Sequence, residues 1–244
     1  MKERESNVLS LLEDKTNIYA RKIALGMKTQ FGWKELTYDG LGLMSRRLAA
    51  YLMNDLGIQR GEKLAILSES KPEYGVCVFA SVISGLITVP LDIKLTKYEL
   101  QSILTDCLPS VMLVSQSYID KALELQKVIP SLKHIIVMDE HPVKENLQSI
   151  YTIPNNYTCK WRHRSRKSVV FIIYTSGTTG NPKGVETTFG NMLAQLKDLK
   201  TAFNQILPYG DVRVLSILPM NHLFEMTVGF STFLNLGFSV YYTH

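Results

Sequence analysis

Along the first part of the chain, Leu41, Met44, Leu48 and Leu52 recur at steps of three and four, the spacing of one apolar helix face. Thr37 can cap the start of this helix and Gly57 suits its end. Lys63 to Ser68 (KLAILS) is a short apolar run that predicts a core strand. Pro72 suits the first turn of a second helix carrying Val76, Phe79, Ala80 and Ile83, and Ile87 to Leu91 resumes as a strand. Thr96 and Glu99 have the spacing of a capping box ahead of Leu100, Ile103 and Leu104. Val111 to Ser115 predicts a strand, Tyr118 to Ile129 a helix, and Ile135 to Met138 another strand. Strands alternating with helices at this spacing predict a parallel sheet covered by helices. The strands are unbroken apolar runs, as expected where both faces of a sheet are covered.

From Asp139 to Lys167 the pattern lapses, through Pro142, Pro154 and Asn155-Asn156, to the basic run KWRHRSRK at Lys160 to Lys167. This reads as a long connection. Val169 to Tyr174 (VVFIIY) is the most strand-like run in the chain, and a loop rich in Gly, Ser and Thr follows it. Beyond the loop, Asn191 to Ile206 predicts a helix, Val212 to Leu218 a strand, His222 to Leu236 a helix and Phe238 to Tyr242 a strand.

Composition alters this picture little. The chain has 244 residues, 45% hydrophobic and 20% charged, which is ordinary for a globular protein with a sizeable core. A net charge of +5 suits anionic small molecules, an anionic membrane surface or nucleic acid, and selects none of them. Cys77, Cys107 and Cys159 are dispersed and form no C-x-x-C pair, which predicts a reducing compartment and no metal site. The first fifteen residues mix acids and bases, unlike a secretory signal. The uncharged stretch from Tyr74 to Leu91 approaches the length of a membrane span, but Ser81, Ser84, Gly85 and Pro90 make it read as a buried helix and strand.

The chemistry is concentrated in Tyr174 to Val185, YTSGTTGNPKGV. Gly177, Gly180 and Gly184 give the backbone conformations closed to other residues, so that successive N–H groups can converge on an anion. Thr175, Ser176, Thr178 and Thr179 add hydroxyl donors, and Lys183 adds a mobile positive charge. No carboxylate stands in the segment to repel phosphate. A plain surface loop is the bland alternative, but it has no need of so many donors directly after a buried strand. The spacing excludes the common P-loop, since Pro182 stands where G-x-x-x-x-G-K-[ST] needs its second glycine.

This segment resembles the signature of the adenylate-forming superfamily, which includes acyl-CoA synthetases, the adenylation domains of peptide synthetases, and luciferase. The segments Leu36 to Leu67, Ala80 to Asp92 and LPMNHLFE (Leu218 to Glu225) resemble other family segments, in family order. The resemblance implies an α/β fold: the helix-covered, largely parallel sheets of the acyl-CoA synthetase N-terminal domain, incomplete here. Residues 1–138 would form a first α/β region, 139–167 a connection and 168–244 the phosphate-loop region, with the small C-terminal domain absent. The family's Tyr-Gly-x-Thr-Glu segment, ribose-binding aspartate and C-terminal lysine cannot be found. That implies a fragment unable to complete catalysis alone.

The implied reaction is attack of a carboxylate on the α-phosphate of ATP, loss of pyrophosphate, and displacement of AMP from the acyl-adenylate by a thiol. By resemblance, Thr175, Ser176, Gly177, Thr178, Thr179, Gly180 and Lys183 bind the ATP phosphates, with Lys183 also catalytic and Mg²⁺ carried on phosphate oxygens. His222 would approach the α-phosphate and the substrate carboxylate, although a histidine among apolar residues can equally be a core residue. Asn221, His222 and Phe224 would line the substrate pocket, and Glu225 is a weaker candidate. Met220, Leu223, Met226, Val228 and Phe230 would offer apolar wall or simply core. The H-x-F-E stretch resembles that of long-chain fatty acid–CoA ligases. The acceptor would be coenzyme A, or alternatively the phosphopantetheine arm of a carrier protein. A non-catalytic nucleotide-binding chain is the alternative of another class. Many relatives have Thr-His where this chain has Thr188-Phe189, so no polar role falls to Phe189. The basic run could be a solvated linker or could touch anionic lipid, giving a cytoplasmic protein with peripheral membrane contact as an open alternative. No aromatic interleaving supports nucleic acid.

Overall fold

The computed structural model describes residues 15–140, 144, 146–160, 164–175, 182–206 and 211–243. Two sheets organise them. The larger runs in the order β7-β6-β5-β3-β4-β8-β9, with strands β3 (Lys63–Leu67), β4 (Ile87–Leu91), β5 (Pro109–Val114), β6 (His134–Val137), β7 (Gln148–Ser149), β8 (Val169–Thr175) and β9 (Lys183–Thr188). All neighbours are parallel except β9, which runs antiparallel to β8. The smaller sheet, β10-β11-β1-β2, joins β1 (Ile23–Thr29), β2 (Gly32–Thr37), β10 (Arg213–Ser216) and β11 (Ser239–Tyr242). There β1 pairs with β11 in parallel and with β2 as a hairpin.

The apolar strand runs split by alternate residues, because successive side chains point to opposite faces. Leu64, Ile66, Val111 and Leu113 enter one core, which also holds α1 (Tyr38–Asn54), α2 (Pro72–Ser84) and the β1–β11 face. Ala65, Leu67, Met112 and Val114 enter another core, packed by α3 (Lys97–Cys107) and α4 (Ile119–Gln126). Helices α1 and α2 therefore fill the space between the two sheets. Gly75 permits this closeness: a Cβ there would meet Leu25 Cδ1 at 2.6 Å and the Phe230 ring at 2.8 Å. Tyr38 crosses the same layer, donating its hydroxyl to the carbonyls of Phe238 (2.7 Å) and Leu234 (3.1 Å).

The helix signals act as the sequence predicts. Thr37 caps α1 by accepting from the Gly40 N–H, Pro72 occupies the first turn of α2, and Thr96 and Glu99 form a reciprocal capping box on α3. Within 139–167 the described residues include β7, and Arg47 of α1 donates to Asn155 Oδ1 and to the Ile150 carbonyl there. Arg164, within the basic run, is turned inward and donates to the Leu86 carbonyl at 2.7 Å. Burial, with the Arg60 charge adding to it, lowers its pKa to about 10. Trp161, Arg162 and His163 of that run lie outside the described residues. None of the three cysteines is in a disulfide; Cys77 and Cys107 are buried and Cys159 is half-buried. Burial pushes the Cys107 thiol up to about 12. Among the described residues, no helix is long and apolar enough to cross a membrane.

Candidate active site

Strand β8 is buried over most of its length and becomes exposed at Thr175. The chain returns as β9, antiparallel, with Thr175 opposite Lys183 and Tyr174 opposite Gly184. The glycine- and hydroxyl-rich segment thus starts on one strand of the large sheet and ends on its antiparallel partner. Ser176, Gly177, Thr178, Thr179 and Gly180 lie outside the described residues. Thr175 and Lys183 flank them, both exposed, and among the described residues Lys183 has no ion-pair partner. The strand after the loop has no signal in the sequence, because β9 (KGVETT) is polar and mostly exposed.

Gly184 has a different role from the one expected of it. Its φ is not positive, so no unusual backbone conformation requires glycine there. The constraint is contact: a Cβ would lie 2.8 Å from Ile172 Cγ2 and 3.1 Å from Tyr174 Cζ. The Tyr174 ring lies across Gly184, and its hydroxyl donates to Asp106 Oδ2 at the end of α3. Burial, and next the hydrogen bond that Asp106 accepts from it, push the Tyr174 hydroxyl pKa up. Tyr174 and Asp106 therefore fasten the hairpin base to the helical layer. Thr188 ends β9 and caps α5 (Phe189–Ile206) in a reciprocal arrangement: the Asn191 N–H donates to Thr188 Oγ1 at 3.2 Å and Asn191 Oδ1 accepts from the Thr188 N–H at 3.1 Å. Phe189 is core.

The second candidate segment follows β10. Met220 is buried, and its N–H donates to Ser70 Oγ at 3.0 Å. Ser70 lies just past the C-terminal end of β3. This ties the turn carrying Asn221, His222 and Phe224 to the same edge of the large sheet as Thr175. In the order β3-β4-β8 the two anchoring strands are two spacings apart, about 10 Å. His222 is exposed, Asn221 is half-buried and Phe224 is 62% exposed. Met220, Met226 and Phe230 are core and line no open wall, whereas Leu215, Ile217 and Leu218 join Phe224 as exposed apolar surface.

Glu225 anchors the turn from behind. The predicted helix after His222 begins as a π-helix over Glu225–Thr232 and continues as α6 (Phe233–Leu236). Ser231 and Thr232 donate to carbonyls five residues back. The buried Glu225 carboxylate accepts from Ser216 Oγ at 2.6 Å and occupies the space left by Gly229, where a Cβ would stand 2.1 Å from Oε1. Burial raises the Glu225 pKa, partly offset by the Ser216 hydrogen bond. Ser70, Asp106 and Gly229 carry no sequence signal for these positioning roles, since each depends on a partner distant in sequence or on a helix type that periodicity does not reveal.

The AMP-binding enzyme family matches residues 12–244. The chain belongs to that family. Among its relatives, a long-chain-fatty-acid–CoA ligase of Salmonella typhimurium is 27% identical over 96% of this chain and 46% of its own length. The chain thus spans less than half of that relative. Among solved structures, an anthranilate CoA ligase in complex with anthranoyl-AMP superposes with a TM-score of 0.80 at 23% identity, over 96% of this chain and 44% of that one. ATP-bound MatB from Rhodopseudomonas palustris gives a TM-score of 0.78 at 22% identity, with the same coverages. These likenesses establish the fold: the helix-covered, largely parallel sheets are those of the family's acid–CoA ligases.

Proposed function

We propose that this chain supplies the phosphate-binding hairpin and part of the acid pocket of an enzyme that activates a carboxylic acid, a long-chain fatty acid, with ATP and passes the acyl group to the thiol of coenzyme A. The observation that carries the reading is the placement of the β8–β9 hairpin. A buried strand delivers Thr175, and its partner delivers Lys183 directly opposite, at the C-terminal edge of a largely parallel sheet, where α/β folds bind their ligands.

In this reading Thr175, Ser176, Thr178, Thr179 and Lys183, with the backbone at Gly177 and Gly180, hold the β- and γ-phosphates and then the departing pyrophosphate. Preorganised donors stabilise the charge that develops on the leaving group. The hydroxyl-and-ammonium donor set suits phosphate oxygens and offers a divalent cation little, so Mg²⁺ would be held chiefly by the phosphates, lowering their charge. A carboxylate oxygen bonds to the α-phosphorus as the bond to pyrophosphate breaks. The thiol sulfur then bonds to the acyl carbon, AMP departs, and the thiol proton is lost to solvent. In the same reading His222, exposed on a turn held by Ser70 and Glu225, donates to the carboxylate or the α-phosphate. Phe224 and the exposed Leu215, Ile217 and Leu218 supply apolar surface for an acyl chain, at about 0.8 kcal/mol per CH₂ buried.

The test is ATP–pyrophosphate exchange by the full-length protein with a series of straight-chain acids. Exchange rising with chain length, and lost in Lys183→Ala, supports the reading. Absence of exchange with every acid overturns it, in favour of a nucleotide-binding protein without catalysis.

A further inference from the structure

A second crevice lies along the same sheet edge, away from the hairpin. Strand β3 passes through α2 to β4 on one side, while β5 passes through α4 to β6 on the other, and β3 and β5 are neighbours. That is a topological switch point, the place where open α/β sheets leave a ligand crevice. Glu69 and Lys71 follow β3, Ser115 and Gln116 follow β5, and Asp139 follows β6. Lys71 is 4% exposed and fully engaged: its ammonium lies 2.6 Å from Asp139 Oδ1 and 3.6 Å from Glu69 Oε1. Ser115 donates to Glu69 at 2.6 Å and the Gln116 N–H to Asp139 at 2.6 Å. This network makes a rigid floor.

Above the floor, a groove of ≈ 750 Å³ is walled by the β1–β2 hairpin, with Phe31 92% and Trp33 61% exposed. It shares Lys34, Glu73 and Glu140 with an inner cavity of ≈ 220 Å³ that Tyr151 also lines. Four carboxylates (Glu69, Glu73, Asp139 and Glu140) face this space against two ammonium groups, Lys34 and Lys71. Glu73 is the decisive residue. It is 2% exposed, yet only Oε1 is used, by the Tyr151 hydroxyl at 2.5 Å and by Lys34; Oε2 has no partner. A buried carboxylate oxygen without a donor carries an unrecovered desolvation cost. Lys34 shows what the cavity accepts. Its ammonium sits on Glu73 and 5.2 Å from the centre of the Tyr151 ring, the carboxylate-and-aromatic setting that suits a cation. Lys34 is on a surface strand and half-exposed, so it can swing outward.

We propose that this crevice binds a small organic cation bearing a primary ammonium or guanidinium group, which replaces the Lys34 ammonium on Glu73 and takes up the free Oε2, with its remaining length along Phe31 and Trp33. The crevice adjoins the acid-activation segment: Ser70, between Glu69 and Lys71, holds the backbone of the His222 turn. Occupancy of the crevice therefore reaches that turn through one residue.

Agmatine, which carries both cationic groups, is the probe, and potassium chloride at equal ionic strength is the control. A Trp161→Phe variant leaves Trp33 as the reporting tryptophan. The expected result is a saturable change in Trp33 emission with agmatine that the salt control does not give. Lys34→Met, which removes the internal competitor, tightens binding, and Glu73→Gln weakens it by about tenfold or more, the size of one lost charge-assisted hydrogen bond. Glu140→Gln changes an exposed residue and leaves the fold intact, so its weaker binding remains readable if Glu73→Gln does not fold. An emission change that is linear in agmatine and matched by the salt control overturns the proposal. Saturable binding that Lys34→Met and Glu140→Gln both leave unchanged also overturns it.

Discussion

Replacing Gly184 with alanine tests how the β8–β9 hairpin is held. In an ordinary strand this change is favourable by about 0.5–1 kcal/mol, because glycine loses more backbone entropy on folding. Gly184 has no positive φ to oppose it. The opposition is steric. The new methyl stands 2.8 Å from Ile172 Cγ2 and 3.1 Å from Tyr174 Cζ, and Ile172 is buried and unable to give way. The Tyr174 ring must move, and its hydroxyl leaves Asp106. Overpacking costs about 1–3 kcal/mol, and loss of the hydrogen bond to the exposed Asp106 carboxylate about 0.5–1.5 kcal/mol. After the backbone gain, the net expectation is a loss of about 0.5–4 kcal/mol. At about 2–4 °C per kcal/mol for a chain of this size, thermal unfolding reads this directly. The control is the same change in a Tyr174→Leu background. There the ring is gone and the Ile172 contact remains, so Gly184→Ala should cost clearly less than it does beside Tyr174. If Gly184→Ala is neutral with Tyr174 present, or equally costly in both backgrounds, the ring-over-glycine account is wrong.

Gly229→Ala would drive a methyl to 2.1 Å from Glu225 Oε1, expelling the carboxylate, and should destabilise by about 1–3 kcal/mol; in a Glu225→Ala background denaturant unfolding should show most of that cost gone. Burial raises the Glu225 pKa, so the folded state holds its proton more tightly than the unfolded chain. That contribution is complete below the ordinary value of 4.5 and fades as pH rises through the folded-state value. Glu225→Gln should flatten this part of the stability–pH curve measured by urea titration. Tyr174→Phe, which removes only the hydroxyl, should cost about 0.5–1.5 kcal/mol in thermal unfolding, since water can take the donor's place on the exposed Asp106.

Much of this architecture is legible in the sequence, and the exceptions share a cause. Thr37, Pro72 and the Thr96–Glu99 pair act within one helical turn, so local pattern suffices to place α1, α2 and α3. Strands β3 to β6 are buried on both faces and read as apolar runs. The β1–β2 hairpin and β9 were not legible, since β2 and β9 are largely exposed and owe their strand conformation to pairing partners. Strand β7, two residues long, has no pattern to show. At the candidate site, Thr175 and Lys183 are legible in the motif as proposed phosphate donors, and the contacts that hold the strands carrying them are not. Asp106 meets Tyr174 from 68 residues away and Ser70 meets Met220 from 150. Gly184 was legible as a required glycine but for a different reason, contact with the Tyr174 ring across the strand pair.

The central claim is that the β8–β9 hairpin grips the phosphate tail of ATP, and titration calorimetry with inorganic pyrophosphate tests it with the fewest other assumptions. Lys183 is exposed, and its removal should leave the thermal midpoint unchanged. Saturable pyrophosphate binding to the wild type, weakened about tenfold or more in Lys183→Ala, is the expected result. Equal affinity in the two proteins, or no binding by a folded wild type, would contradict it.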